Sequence, residues 1–233
     1  MSSTLAVVFD VDDTLYLERD YVRSGFSAVG RHLEQHVGIV GFGHVAWELF
    51  EAGRRGDIFD IALRRLRAPK DAVDVAELVE MYRAHEPQID LLPDARLTLA
   101  SLHEHGVPLG VVTDGPSVSQ HAKIRRLGLS DLVDTVVVTA DLGPDRGKPH
   151  PLAFEFVEQT IGLTGGQLTY VADNPAKDFQ APHAMGWRTI RVRRQGGLHE
   201  HVDGGPDIGM TVTDLYMPLI DQGGAHGPGK HLG

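Results

Sequence analysis

The stretch Leu5-Ala6-Val7-Val8-Phe9-Asp10-Val11-Asp12-Asp13-Thr14-Leu15 decides how the rest of the chain is read. Its apolar residues, partly β-branched, run straight into acid. A short apolar run of this kind predicts a strand buried on both faces, as in a parallel sheet. Asp10 and Asp12 stand two positions apart as the chain leaves that strand. In extended backbone this spacing puts both carboxylates on one side. Two such groups repel unless a proton or a cation lies between them, and a hard divalent ion with oxygen ligands suits the pair, most simply Mg²⁺. An acidic turn has the same local sequence, so the pair is weighed with what lies further along.

Four more runs share the pattern. Pro108 to Val112 ends at Thr113-Asp114-Gly115, and Thr135 to Val138 ends at Thr139. Leu168 to Ala172 ends at Asp173-Asn174, and the less apolar Thr189 to Val192 is placed near an edge. Helical patterns cover 94–105, 116–127, 152–161 and 175–185. Strands alternating with helices predict an α/β fold, a Rossmann-like parallel sheet with helices on both faces. Ligands of such sheets bind outside the carboxyl ends of the strands. Asp10, Thr113 and Asp173 are therefore expected to converge on one crevice.

One segment breaks the alternation. Residues 24–37, 44–53, 57–67 and 73–84 all read as helices separated by Gly and Pro, with no strand among them. A plain strand-to-helix connection is far shorter. The segment is read as an inserted α-helical cap over 17–91. The catalytic core is then 1–16 and 92–220, and the Gly- and His-rich residues 221–233 are read as a disordered tail.

Composition excludes several classes of function. The chain has 233 residues, with 22 Lys+Arg against 32 Asp+Glu, a net charge of -10 and no Cys. Disulfides, thiolate zinc sites and cysteine nucleophiles are therefore excluded. No run approaches the ~20 apolar residues needed to span a bilayer. The first residues lack a basic region followed by a long apolar run, so a cytoplasmic protein is expected. The acidic balance disfavours a nucleic-acid polymer as partner.

With these residues in view, the chain resembles the haloacid dehalogenase superfamily, in its phosphatase-type branch with a helical cap. The family's first motif, Asp-x-Asp-x-Thr after a strand, is matched by Asp10-Val11-Asp12-Asp13-Thr14. Its second, a Ser or Thr ending a strand, is matched by Thr113. Its third, a loop Lys commonly followed by Pro, is matched by Lys148 in GKPHP. Its fourth, an acidic pair after a strand, is matched by Asp173 and Asp178 in VADNPAKDF. The motifs come in the family's order, and the likeness spans roughly residues 5 to 195. Two positions depart from the usual pattern. Ala172 stands where Gly often precedes the fourth motif, and Asp114 stands where Asn often follows the second. An extra carboxylate beside a phosphate site repels substrate unless it is turned away or paired.

The resemblance implies a Mg²⁺-dependent phosphomonoester hydrolase acting on a small phosphorylated metabolite, such as a sugar phosphate or nucleotide. Asp10 would be the nucleophile that forms an aspartyl-phosphate, and Asp12 the general acid and base. Mg²⁺ would be held by Asp10, the backbone carbonyl of Asp12, and Asp173. Asp178 would stand behind them, orienting Lys148 or a metal-bound water. Lys148 would neutralise phosphoryl oxygens and Thr113 would donate its hydroxyl to one of them. The backbone amides of Val11, Asp12 and Asp114 would cradle phosphate. Thr14 to Tyr16 would lead into the cap, and Tyr16, Tyr21, Arg23 and Arg54 are candidates to contact the leaving group.

Other activities remain open at this level. A phosphomutase would use the same residues, and a binding module could retain the fold without turnover. A dehalogenase is disfavoured because Asp12 is present, and a phosphonatase because Lys70 is the only lysine of the insert.

Overall fold

The computed structural model describes residues 6–69 and 73–216. Lys70, the first residues of the opening strand pattern and the expected tail from 221 lie outside them. The described chain divides into two compact units. One comprises 6–17, 91–117 and 128–216, and the other 18–69, 73–90 and 118–127.

The first unit is built on a six-stranded sheet. Its strands are β1 (Ala6–Phe9), β2 (Leu109–Thr113), β3 (Thr135–Val138), β4 (Leu168–Ala172), β5 (Arg188–Val192) and β6 (Met210–Val212). The order is β3-β2-β1-β4-β5-β6, and every pairing is parallel. β1 sits centrally, with Phe9 opposite Val111 of β2 on one side and Val171 of β4 on the other. All four β1 residues are buried, the reason its sequence shows a continuous apolar run rather than alternation. One face is packed by Ala6, Val8, Val112, Val137, Leu168 and Tyr170 against Ala153, Phe154 and Val157 of helix Leu152–Ile161. Residues of opposite parity, Val7, Phe9, Val111 and Val171, are buried as well, so both faces are covered.

The helices, in chain order, are α1 (Glu18–Val37), α2 (Phe42–Glu51), α3 (Ile58–Arg65), α4 (Val75–Ala84), α5 (Pro93–Glu104), α6 (Ser117–Leu127), α7 (Leu152–Ile161) and α8 (Gln180–Ala184). Pro93 opens α5, where its missing N–H costs nothing. The second unit holds α1 to α4 and most of α6. Its interior is aromatic: Phe26 packs near Phe50, Phe59 and Tyr82 at ring separations of 6.4, 6.0 and 5.5 Å. α1 and α2 approach closely at Gly30 and Gly43. A Cβ on Gly30 would meet Gly43 N at 3.0 Å, and one on Gly43 would meet Phe26 O at 3.0 Å.

Four elements differ from the sequence reading. α1 begins at Glu18, not Ser24; its acidic first turn, Glu18 and Asp20, complements the helix dipole. α6, read as part of the core alternation, groups with the second unit. Ser119 Oγ donates to Arg83 O, and Arg126 Nε donates to Ile89 O. α8 covers only five residues of the expected 175–185. The segment before it is instead held as a turn, because Asn174 Oδ1 accepts from Ala176 N and Asp178 Oδ2 accepts from Asn174 N. β6 was not expected, and it leaves β5 one strand in from the edge.

Candidate active site

The carboxyl ends of β1, β2 and β4 deliver Asp10, Thr113 and Asp173 from neighbouring strands of one sheet. After Phe9 the backbone turns tightly: Val11 O accepts from Leu15 N at 3.0 Å, and Asp13 takes a left-handed φ of 51°. Asp13 Oδ2 accepts from Leu198 N at 2.7 Å, pinning this turn to the segment after β5. Asp10 points into the site and Asp12 takes a different partner, the hydroxyl of Tyr16, which donates to Asp12 Oδ1. Tyr16 itself is fully buried.

Lys148 organises the centre. Its side chain is wholly buried, and Nζ lies 2.8 Å from Asp10 Oδ1, 2.7 Å from Asp178 Oδ1 and 3.0 Å from Tyr170 Oη. Tyr170 passes its own proton on, donating to Val112 O at 3.2 Å. One ammonium thus ties β1, β4 and the loop after β4 together. Burial favours the neutral amine, but Asp10 and Asp178 outweigh it and hold Lys148 protonated well above its usual range.

The carboxylates behave oppositely. Asp10 is pushed up to about 7, first by burial and then by Asp178, Asp173 and Asp12, with Lys148 pulling the other way. Asp173 is also raised, mainly by burial, against a hydrogen bond from His199 Nδ1 at 2.8 Å. One carboxylate oxygen from each of Asp10, Asp173 and Asp178 lies within 4.8 Å of the others, and all three residues are buried. Three buried carboxylates gathered this closely offer oxygen ligands of the kind a hard divalent cation takes. The Asp12 carboxylate is not part of this cluster, while Asp178 is.

Thr113 ends β2 fully buried. The carboxylate of Asp114 is paired rather than aimed at a phosphate site. Its Oδ1 accepts from Thr139 Oγ1 at 2.5 Å and Lys148 N at 3.2 Å, and its Oδ2 accepts from Lys177 Nζ at 3.0 Å. His150 Nδ1 accepts from Leu152 N at the start of α7, which accounts for its place in the loop. Of the leaving-group candidates in the second unit, Tyr21 is buried against Tyr82 and His85. Arg23 lies over the Trp47 ring at 5.2 Å, and Arg54 pairs with Asp57 at 3.5 Å.

Sequence reasoning missed Tyr170, Lys177 and His199. Tyr170 reads as a core aromatic of an apolar strand, and only its lone hydroxyl hinted at more. Lys177 lies inside the quoted VADNPAKDF, yet nothing in its spacing linked it to Asp114. His199 follows β5 in a Gly-rich segment without any motif.

The fold and this constellation define the site of a hydrolase built on an α/β fold. The family model for haloacid dehalogenase-like hydrolases matches residues 4–186, and the chain belongs to that family. A glyceraldehyde 3-phosphate phosphatase of Methanopyrus kandleri is 31% identical over 93% of this chain and 95% of its own. A ribulose-1,5-bisphosphate 5-phosphatase of Halopiger xanaduensis is 29% identical over 79% of this chain and 83% of its own. The crystal structure of a phosphatase of this family from Thermococcus onnurineus superposes with a TM-score of 0.58 at 26% identity, covering 91% of this chain and 94% of that one. No described helix is long and apolar enough to cross a membrane.

Proposed function

We propose that the protein is a Mg²⁺-dependent phosphomonoester hydrolase acting on a small phosphorylated metabolite through an aspartyl-phosphate. Sugar phosphates of the size handled by its relatives are the favoured substrate class. The observation that carries this reading is the buried Lys148 ammonium held between Asp10 and Asp178 beside Asp173. Bound Mg²⁺, held by Asp10, Asp173 and the backbone of Asp12 with Asp178 behind them, would supply charge neutralisation for phosphate and nucleophile.

Asp10 then attacks phosphorus, forming an Oδ–P bond as the P–O bond to the leaving alcohol breaks. Asp12 gives its proton to that departing oxygen and afterwards takes one from the water that cleaves the acyl-phosphate. The Tyr16 hydroxyl fixes the orientation of Asp12 throughout. Lys148 and the Thr113 hydroxyl stabilise the phosphoryl oxygens, together with the amides of Val11, Asp12 and Asp114. The helical segment 17–91 acts as the cap that recognises the leaving group. A cysteine-free, acidic chain fits a cytoplasmic enzyme of small metabolites better than a nucleic-acid binder.

The test is phosphate release from glyceraldehyde 3-phosphate, phosphoglycolate and ribulose 1,5-bisphosphate, with and without Mg²⁺. Asp10→Asn should abolish both turnover and acyl-phosphate trapping while the protein stays folded. Normal turnover by that variant would sink the nucleophile assignment. Silence of the wild type across a broad phosphate-ester panel would sink the activity.

A further inference from the structure

Asp114 departs from the family's usual residue, and its carboxylate takes no part in the steps above. Its surroundings are nevertheless unusually complete. Thr139 Oγ1 and Lys148 N both donate to Oδ1, and Lys177 Nζ donates to Oδ2. The donors come from three places in the chain: the end of β3, the loop that carries Lys148, and the turn after β4. Burial opposes the charge on Asp114, but the hydrogen bond from Thr139 and the ammonium of Lys177 keep the carboxyl below its ordinary range.

The backbone of the Lys148 loop gives this contact its importance. Between Thr139 and Lys148 the chain passes Gly143 at φ 110°, Asp145 at φ 58° and Gly147. Gly143 and Gly147 leave the backbone on either side of Pro144-Asp145-Arg146 free to turn unless a contact fixes it. At Gly147 the loop presses so closely on Asp114 that a Cβ would stand 2.9 Å from Oδ1. The next residue donates its N–H to that same oxygen and sends its side chain to Asp10.

We propose that Asp114 is a positioning residue for Lys148: its Oδ1 fixes the Gly147–Lys148 backbone and so delivers the ammonium to Asp10, while Lys177 balances the charge on Oδ2. For catalysis the proposal rests on the phosphatase reading, but the placement of Lys148 can be measured without it. The positioning duty belongs to Oδ1, an acceptor that asparagine retains. The charge duty belongs to Oδ2, which asparagine replaces with an amide nitrogen.

The experiment compares Asp114→Ala, Asp114→Asn, Gly147→Ala and the Asp114→Ala/Gly147→Ala double variant. Amine acetylation of the folded proteins, read by mass spectrometry, reports Lys148 placement independently of turnover. Lys148 should resist labelling in the wild type and in Asp114→Asn, and become labelled in Asp114→Ala and Gly147→Ala. In phosphate release, Asp114→Ala and Gly147→Ala should each lower kcat at least about tenfold with little change in KM, and Asp114→Asn should lose clearly less than Asp114→Ala. The double variant should be no worse than the weaker single, because both changes act through one loop. Protection of Lys148 in Asp114→Ala would overturn the proposal. So would an Asp114→Asn variant as impaired as the alanine one, or additive losses in the double variant. Wild type that releases no phosphate yet shows the labelling pattern would remove the phosphatase reading alone.

Discussion

At the scale of single residues, the site turns on how one buried ammonium is shared. Lys148 has three N–H donors, and Asp10, Asp178 and Tyr170 lie within reach of them. Tyr170→Phe should keep the ring contacts to Phe154 and Phe179 and remove only the hydroxyl. The loss leaves buried polar groups short of a partner and should cost about 1–3 kcal/mol in denaturant unfolding. It should also lower kcat more than KM changes if Lys148 has its proposed role on the phosphoryl oxygens; an unchanged kcat would detach Tyr170 from that role. The sequence places Asp10, Lys148, Asp173 and Asp178 after strands of one sheet, and the structure gathers them. The partner of Tyr170 was not legible there, because hydrogen bonds between strands and loops leave no spacing to read.

Helices and strands set the next scale. In the second unit His85 is buried among Tyr21, Tyr82 and Ser24, with Lys123, Glu86 and Arg31 as the charged groups around it. Its Nδ1 meets Tyr82 O at 2.6 Å and its Nε2 meets Ser24 Oγ at 3.1 Å. Burial lowers its pKa below 6.5. The unfolded chain therefore binds the extra proton first, and the stability His85 contributes is complete above pH 6.5 and is lost as pH falls through the folded value. An NMR titration of the His85 ring should show a midpoint below 6.5; one above it would contradict the packing. Gly43→Ala should destabilise the unit in thermal unfolding, because the new methyl meets the Phe26 carbonyl across the α1–α2 crossing. An unchanged melting temperature would mean that the two helices separate at no cost. Long periodic helices such as α1 were legible, though its start was not. β6 was missed because Met210-Thr211-Val212 is too short for any alternation to register.

Across the first unit, topology brings the strand-end residues to one place. In the order β3-β2-β1-β4-β5-β6 the chain builds outward from β1 to β2 and β3 on one side and then returns to β4 on the other, the arrangement that opens a crevice at the strand ends. That placement was readable from alternation alone, and the crossing of three loops at Asp114 was not. The same crowding of carboxylates sets a pH dependence. Asp10 rises from 3.8 to about 7 without metal, so ionising it costs stability as pH climbs through that window. A cation would remove the cost by replacing the proton. The rise in melting temperature on adding Mg²⁺ should therefore be larger at pH 8 than at pH 6, and equal shifts would argue against Asp10 as a ligand.

The strands after the last motif have a practical bearing. Arg191 of β5 is fully buried, with Nε on Asp173 O at 3.0 Å and Nη2 on His199 O at 2.8 Å. Arg194 reaches Asp94 and the carbonyl of Thr14, and Leu215 N donates to Asp94 Oδ2 at 2.8 Å. The end of the described chain is thus fastened to the opening turn through α5, far along the sequence from any catalytic motif. Anyone shortening this protein or fusing a label to it should treat Leu215 as part of the enzyme. A stop codon placed before β6 would leave all the motif residues encoded and remove both the edge strand and the Leu215 contacts with Asp94 and Thr98.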